Sequence, residues 1–162
     1  MNDHVYEHGV CGRDAIRSSE GGSSMSTEDN KAFVRRLYAE VMGKGNMTVA
    51  DALLSTEYVE HLPVPTPGHE GLKQLVLMVL SAFPDIHPTV EDAVAEGDRV
   101  AVRIVARGTH QQAFMGIPPS GKAVEWREMH IYRVVGGKIV EHWGEIDQFG
   151  LLQQIGALPS MS

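Results

Sequence analysis

At Ile86 the period of the sequence changes, and that change restricts the fold more than any other feature. Before it, apolar residues recur at helical spacing: Val34, Leu37, Tyr38, Val41 and Met42, then Leu72, Leu75, Val76, Val79, Leu80 and Phe83. After it the period is two. Val90, Asp92 and Val94 alternate with Thr89, Glu91 and Ala93; Val100, Val102, Ile104 and Ala106 alternate with Arg99, Arg103 and Arg107. Val124, Trp126, Glu128, His130 and Tyr132 share one face of the segment from Ala123 to Val135. Helices first and antiparallel strands afterwards make an α+β domain, and three short helices need a curved sheet to wrap them.

The punctuation agrees with this layout. Ser26 with Asp29 has the spacing of a capping box, Gly43 stops the first helix, a short second helix starts near Thr48, and Pro84 ends the third. Tyr58 to Leu62 is a brief extended piece, halted by Pro63, Pro65 and Pro67. Gly136-Gly137 suits a two-residue hairpin turn, and a last short helix begins near Gly150. Residues 1–25 lack apolar periodicity and form the expected disordered tail, leaving residues 26–162 as one domain. His4, His8 and Cys11 in that tail match no common zinc spacing.

Composition excludes several classes. Lys and Arg number 14 against 21 Asp and Glu, a net charge of -7 with no basic cluster, which argues against nucleic acid. No apolar run approaches a membrane span, and the N-terminal stretch has no apolar signal core, so a cytoplasmic protein is the default expectation. Cys11 is the only cysteine, so an internal disulfide and a cysteine-based zinc site are both ruled out.

Four polar side chains fall where an interior is expected: His61, His110, His130 and Asp147. A buried carboxylate needs a partner or a shifted pKa, and His130, on the strand paired by the hairpin, is the candidate partner for Asp147. If the last strand is regular, Ile139, Glu141, Trp143, Glu145 and Asp147 face one way and Val140, His142 and Ile146 the other. That parity puts Trp143 with Trp126 as pocket walls, leaves His142 as packing or interface, and points Glu141 and Glu145 inward as well. Three inward carboxylates are implausible, so either a bulge at Gly144 reverses the parity or the sheet end is open to solvent.

Several segments together resemble a known family. Gly108-Thr109-His110, Phe114 through Lys122, His130-Ile131-Tyr132-Arg133, Gly137 through Trp143 with Asp147, and Leu151 through Gly156 are similar to the SnoaL-like polyketide cyclases, as is Tyr58 to Pro63 to an earlier motif of that group, over roughly residues 28 to 158. The resemblance implies the nuclear transport factor 2-like cone, with three N-terminal helices packed in a curved antiparallel sheet around a pocket, assembled as a homodimer or homotetramer. It implies an intramolecular aldol closure of a small apolar or polyketide-like substrate, with no metal or cofactor. By this resemblance Asp147 is the acid/base, assisted by His130; His110 is the other candidate donor to the oxyanion, and His61, Trp126, Trp143, Tyr38 and Phe114 are the candidate substrate-site residues. Two other chemistries on the same cone compete. An epoxide hydrolase wants a second inward Asp, which the strand from Arg99 to Arg107 lacks; an isomerase-type proton shuttle could use the same groups. A non-catalytic binding or assembly domain is the alternative from a different class.

Overall fold

The computed structural model describes residues 25–64 and 66–159. The expected tail lies outside the described residues except for Met25, which packs against the core one residue before the expected domain boundary. Helix α1 (Thr27–Arg36) opens with the capping box: the Asp29 amide donates to Ser26 Oγ and the Ser26 amide to Asp29 Oδ2. It runs on as a π-helical segment (Leu37–Met42). Helix α2 (Met47–Leu53), strand β1 (Leu54–Glu60) and helix α3 (Gly68–Ala82) follow. Strands β2 (His87–Glu96), β3 (Arg99–Thr109), β4 (Ala123–Val135) and β5 (Lys138–Ile146) complete the sheet, and α4 (Gln148–Ile155) closes the described chain.

The architecture is the expected α+β one, with one refinement. The five-stranded sheet has the order β1-β5-β4-β3-β2, and its edge strand β1 pairs parallel to β5 while the other pairs are antiparallel. The helices cover its inner face. Val34, Leu37, Tyr38 and Val41 pack on Val100, Val102, Ile104, Tyr132, Val134 and Ile139 in one apolar cluster. A second cluster gathers Phe83, Ala106, Phe114, Val124, Trp126, Leu151 and Ile155.

Two bulges shift the faces that a strict period of two assigns. In β2, Val90 pairs with Ile104 but Asp92 with Arg103, so Glu91 is the extra residue. Beyond it Ala93 and Ala95 turn inward, and Val94 is 67% exposed. In β5, Ile139 pairs with Val134 but Glu141 with Arg133, so Val140 is the extra residue. Ile139 and His142, three apart, are therefore both buried. The hairpin itself is as expected, with Gly136 and Gly137 both at positive φ. The bulge next to that turn inverts everything after it, and Gly144 is not the bulge.

Candidate active site

Strand β4 presents Val124, Trp126, Glu128, His130, Tyr132 and Val134 to the interior at the spacing its alternation requires. The inversion in β5 brings His142 in to meet them. The result is one continuous hydrogen-bonded chain across three strands. The Trp126 indole N–H donates to Glu128 Oε1 (2.6 Å), and Glu128 Oε2 lies 2.9 Å from His130 Nε2. His130 Nδ1 lies 2.8 Å from His142 Nε2, and His142 Nδ1 2.9 Å from both carboxylate oxygens of Glu60. The Tyr58 hydroxyl donates to Glu60 Oε2 at 2.6 Å and the Leu62 amide to Oε1 at 2.9 Å. Beside the chain, Tyr38 and Tyr132 share a hydroxyl–hydroxyl bond of 2.8 Å, and the Tyr132 ring stacks on His142 at 4.5 Å.

The spacing dictates a proton count. Each outer histidine nitrogen faces a carboxylate, so each carries a proton if both carboxylates are ionised. The two inner nitrogens then confront each other at 2.8 Å, and one of them must carry a third proton. Two carboxylates and two histidines thus hold one proton more than two neutral imidazoles would. Burial alone would raise Glu60, but hydrogen bonds from His142, Tyr58 and the Leu62 amide outweigh it and hold the carboxyl below its ordinary range. Burial, aided by the neighbouring His130, lowers His142 in spite of Glu60. Glu60 and His142 make one end of the chain, and Glu128 with His130 the other. That second end is the more accessible: side-chain exposure is 12% at Glu128, against 3% at His130, 2% at His142 and 0% at Glu60.

Gly144 makes the central contact possible. It stands directly opposite His130 in the β4–β5 ladder. A Cβ there would run into His130 Nδ1 and come within 2.8 Å of its Cε1 and 3.3 Å of His142 Nε2.

The structure revises several expected site residues. Asp147 does not face inward. It is the N-cap of α4, exposed, its Oδ1 accepting from the Gly150 amide at 2.9 Å. The cause is the Val140 bulge, which turns Trp143 outward too. Trp143 stacks on His61 (4.8 Å, 4° between planes) under the Arg99 guanidinium, and His61 reaches Glu141 at 3.0 Å, all on the outer face. Glu141 is therefore an outer-face residue, and Glu145 is exposed. His110 is wholly buried but lies eight residues along from Val102, the partner of His130. That is on the order of 25 Å of strand, too far to share one reacting carbonyl with His130. The Ser120 amide donates to His110 Nδ1 (3.2 Å), so a neutral His110 keeps its proton on Nε2, which has no partner among the described residues. Phe83 separates it from the chain, packing on His110, Phe114 and Trp126. Tyr38, Trp126 and Phe114 are inward as expected.

Two open clefts mark the surface. One, of about 480 Å³, lies between Asp85, His87, Arg107 and Gln154. The other, of about 320 Å³, is bounded by Arg103, Arg127, Glu128, Met129, Glu145, Ile146 and Asp147. The grouped ligand atoms of Asp51, His69 and Glu70 are already engaged: Lys73 Nζ sits 2.9 Å from Asp51 and 3.1 Å from Glu70, and His69 Nε2 3.1 Å from Glu70.

With this geometry established, comparison with known proteins is decisive at the family level. The model of the SnoaL-like polyketide cyclases matches residues 32–155. The chain belongs to that family. The nogalonic acid methyl ester cyclase of Streptomyces nogalater is 28% identical over 69% of this chain and 87% of the relative. Aklanonic acid methyl ester cyclase DnrD of Streptomyces peucetius is 27% identical over 82% and 92%. Among solved structures, IdmH from Streptomyces antibioticus, a candidate polyketide cyclase, superposes with a TM-score of 0.70 at 36% identity, covering 78% of this chain and 98% of that one. AclR from Streptomyces galilaeus, a candidate hydroxylase, gives 0.75 at 34% identity over 83% and 100%. These SnoaL-like neighbours share the cone fold, while the names attached to them span more than one reaction.

Sequence reasoning gave Glu60 and Tyr58 no site role, read His142 as packing or interface, and gave Glu128 a face but no role. A legible signal was present in the alternation Trp126-x-Glu128-x-His130-x-Tyr132, which stacks hydrogen-bonding partners two residues apart on one inward face.

Proposed function

We propose that this SnoaL-like protein is an acid/base cyclase that closes a ring in a polyketide-like ester by intramolecular aldol addition, with Glu128 as the acid/base and His130 as its partner. The observation that carries the reading is the Glu128 carboxylate at the more accessible end of a buried Glu–His–His–Glu chain, 2.9 Å from His130. A carbon flanked by carbonyls is acidic enough for a single positioned carboxylate. Glu128 removes that proton, the enolate carbon bonds to the acceptor carbonyl carbon, and Glu128 returns the proton to the new alkoxide. His130 Nε2, 2.9 Å from Glu128 Oε2, holds the carboxylate in place for the transfer. Two relatives named for methyl ester substrates supply the substrate class.

The contrast variant is Asp147→Asn. Asn caps a helix about as well as Asp, so melting temperature and turnover of the relatives' methyl esters are expected to stay close to the wild type. Loss of turnover in this folded variant, with Glu128→Gln still active, would return the acid/base role to Asp147.

The proposal includes a homodimer built on the outer face of the sheet, where Met129 is 54% and Ile131 42% exposed among the arginines. Val105, which pairs with Arg127 on the same face, is itself buried. Sedimentation at micromolar concentration should give about twice the chain mass of 17.7 kDa. A monomer alone under those conditions refutes the assembly.

A further inference from the structure

We propose that His142, Glu60 and Tyr58 form the far half of a proton relay, which takes charge away from the Glu128–His130 pair each time Glu128 accepts a proton. This rests on the reading of Glu128 as the acid/base. The links are the contacts of 2.9, 2.8 and 2.9 Å from Glu128 through His130 and His142 to Glu60. Each link holds one proton. When Glu128 takes a proton from substrate carbon, the His130 Nδ1 proton moves to His142 Nε2 and the His142 Nδ1 proton moves to Glu60. Only N–H and O–H bonds are made and broken. Before the event the chain carries two carboxylates and one imidazolium; after it all four groups are neutral. An imidazolium is never left beside a neutral acid in a buried site, the arrangement that desolvation penalises most. The reverse hops restore the chain when Glu128 gives its proton to the alkoxide.

The surroundings suit this role. The titratable groups packed against the chain are Tyr38 from the π-helical segment, Tyr58 from β1 and Tyr132 from β4. Burial pushes all three phenols far up, so none competes for the proton. His61, Glu141 and Arg99 lie across the sheet on its outer face. Tyr58 and the Leu62 amide set how readily Glu60 accepts, through two direct donations. His142, Glu60 and Tyr58 are thus positioning residues, acting through His130.

The test is nitrogen-15 NMR of the histidine side chains in the full chain, followed against pH, alongside the pH profile of kcat. In the wild type the inner nitrogens of His130 and His142 should share one proton, and the pair should titrate as a unit. Glu60→Gln keeps the shape and an acceptor but removes the charge, so the extra proton should be lost about one pH unit lower or more. Tyr58→Phe removes a donor from Glu60, so the midpoint should move up instead. The profile of kcat should follow both shifts, in opposite directions. Two ordinary, independent imidazoles in the wild type, or midpoints unmoved in both folded variants, would overturn the relay. Opposed NMR shifts in a protein that turns over no ester would keep the relay and remove the cyclase.

Discussion

Glu128→Gln is expected to lose turnover by ~10²–10⁴-fold, the usual worth of a positioned acid/base group, while keeping its fold and its affinity for a product-like ligand. The amide still accepts from the Trp126 indole, which reaches Glu128 Oε1 at 2.6 Å. It cannot take a proton, and it removes the negative charge that faces His130. The loss should appear in kcat rather than KM, because the role is realised only as the proton moves. Steady-state kinetics on the relatives' methyl esters, with circular dichroism to confirm folding, decides it. Full activity in a folded variant means that Glu128 is not the base.

Gly144→Ala should damage stability and activity together. The methyl group has nowhere to go: His130 is directly across the ladder, and His142 closes the other side at 3.3 Å. Forcing a methyl into a filled interior costs about 1–3 kcal/mol. At ~2–4 °C per kcal/mol for a chain of this size, the melting temperature should fall by roughly 2–12 °C. Displacing the His130 ring also breaks its 2.8 Å contact with His142. The proton shared between the two rings should then vanish from the NMR spectrum. An unchanged melting temperature and an intact shared proton would show that the rings are not held where Gly144 leaves room for them.

What could be read in advance divides along the strands. The change of period at Ile86 was enough for the α+β layout, and the unbroken alternation of β4 put Trp126, Glu128, His130 and Tyr132 on one inward face. Strand β5 was misread for a definite reason. One extra residue at Val140 inverts the parity of all that follows, so His142 comes in while Trp143 and Asp147 go out. A bulge leaves no mark on the hydrophobic pattern when the residues beyond it are Glu, His, Trp and Gly, since none of them states its face. Glu60 was illegible for another reason. Its place beside His142 comes from β1 pairing parallel to β5 at the sheet edge, a contact between segments some 80 positions apart that no local spacing encodes. Asp147 followed the opposite course: its cap on Gly150 is local, only three residues long, and depends on no distant strand pairing.

The central claim is that the reacting carbon meets Glu128. A crystal structure of the wild-type chain with a non-reactive 1,3-dicarbonyl methyl ester is the most direct measurement. The expected result is a dicarbonyl carbon or enol oxygen within about 2.6–3.5 Å of the Glu128 carboxylate, the range for proton transfer and attack, with the His130–His142 contact intact. A ligand seated against Asp147 or the Trp143–His61 stack, with Glu128 touching only Trp126 and His130, would contradict it.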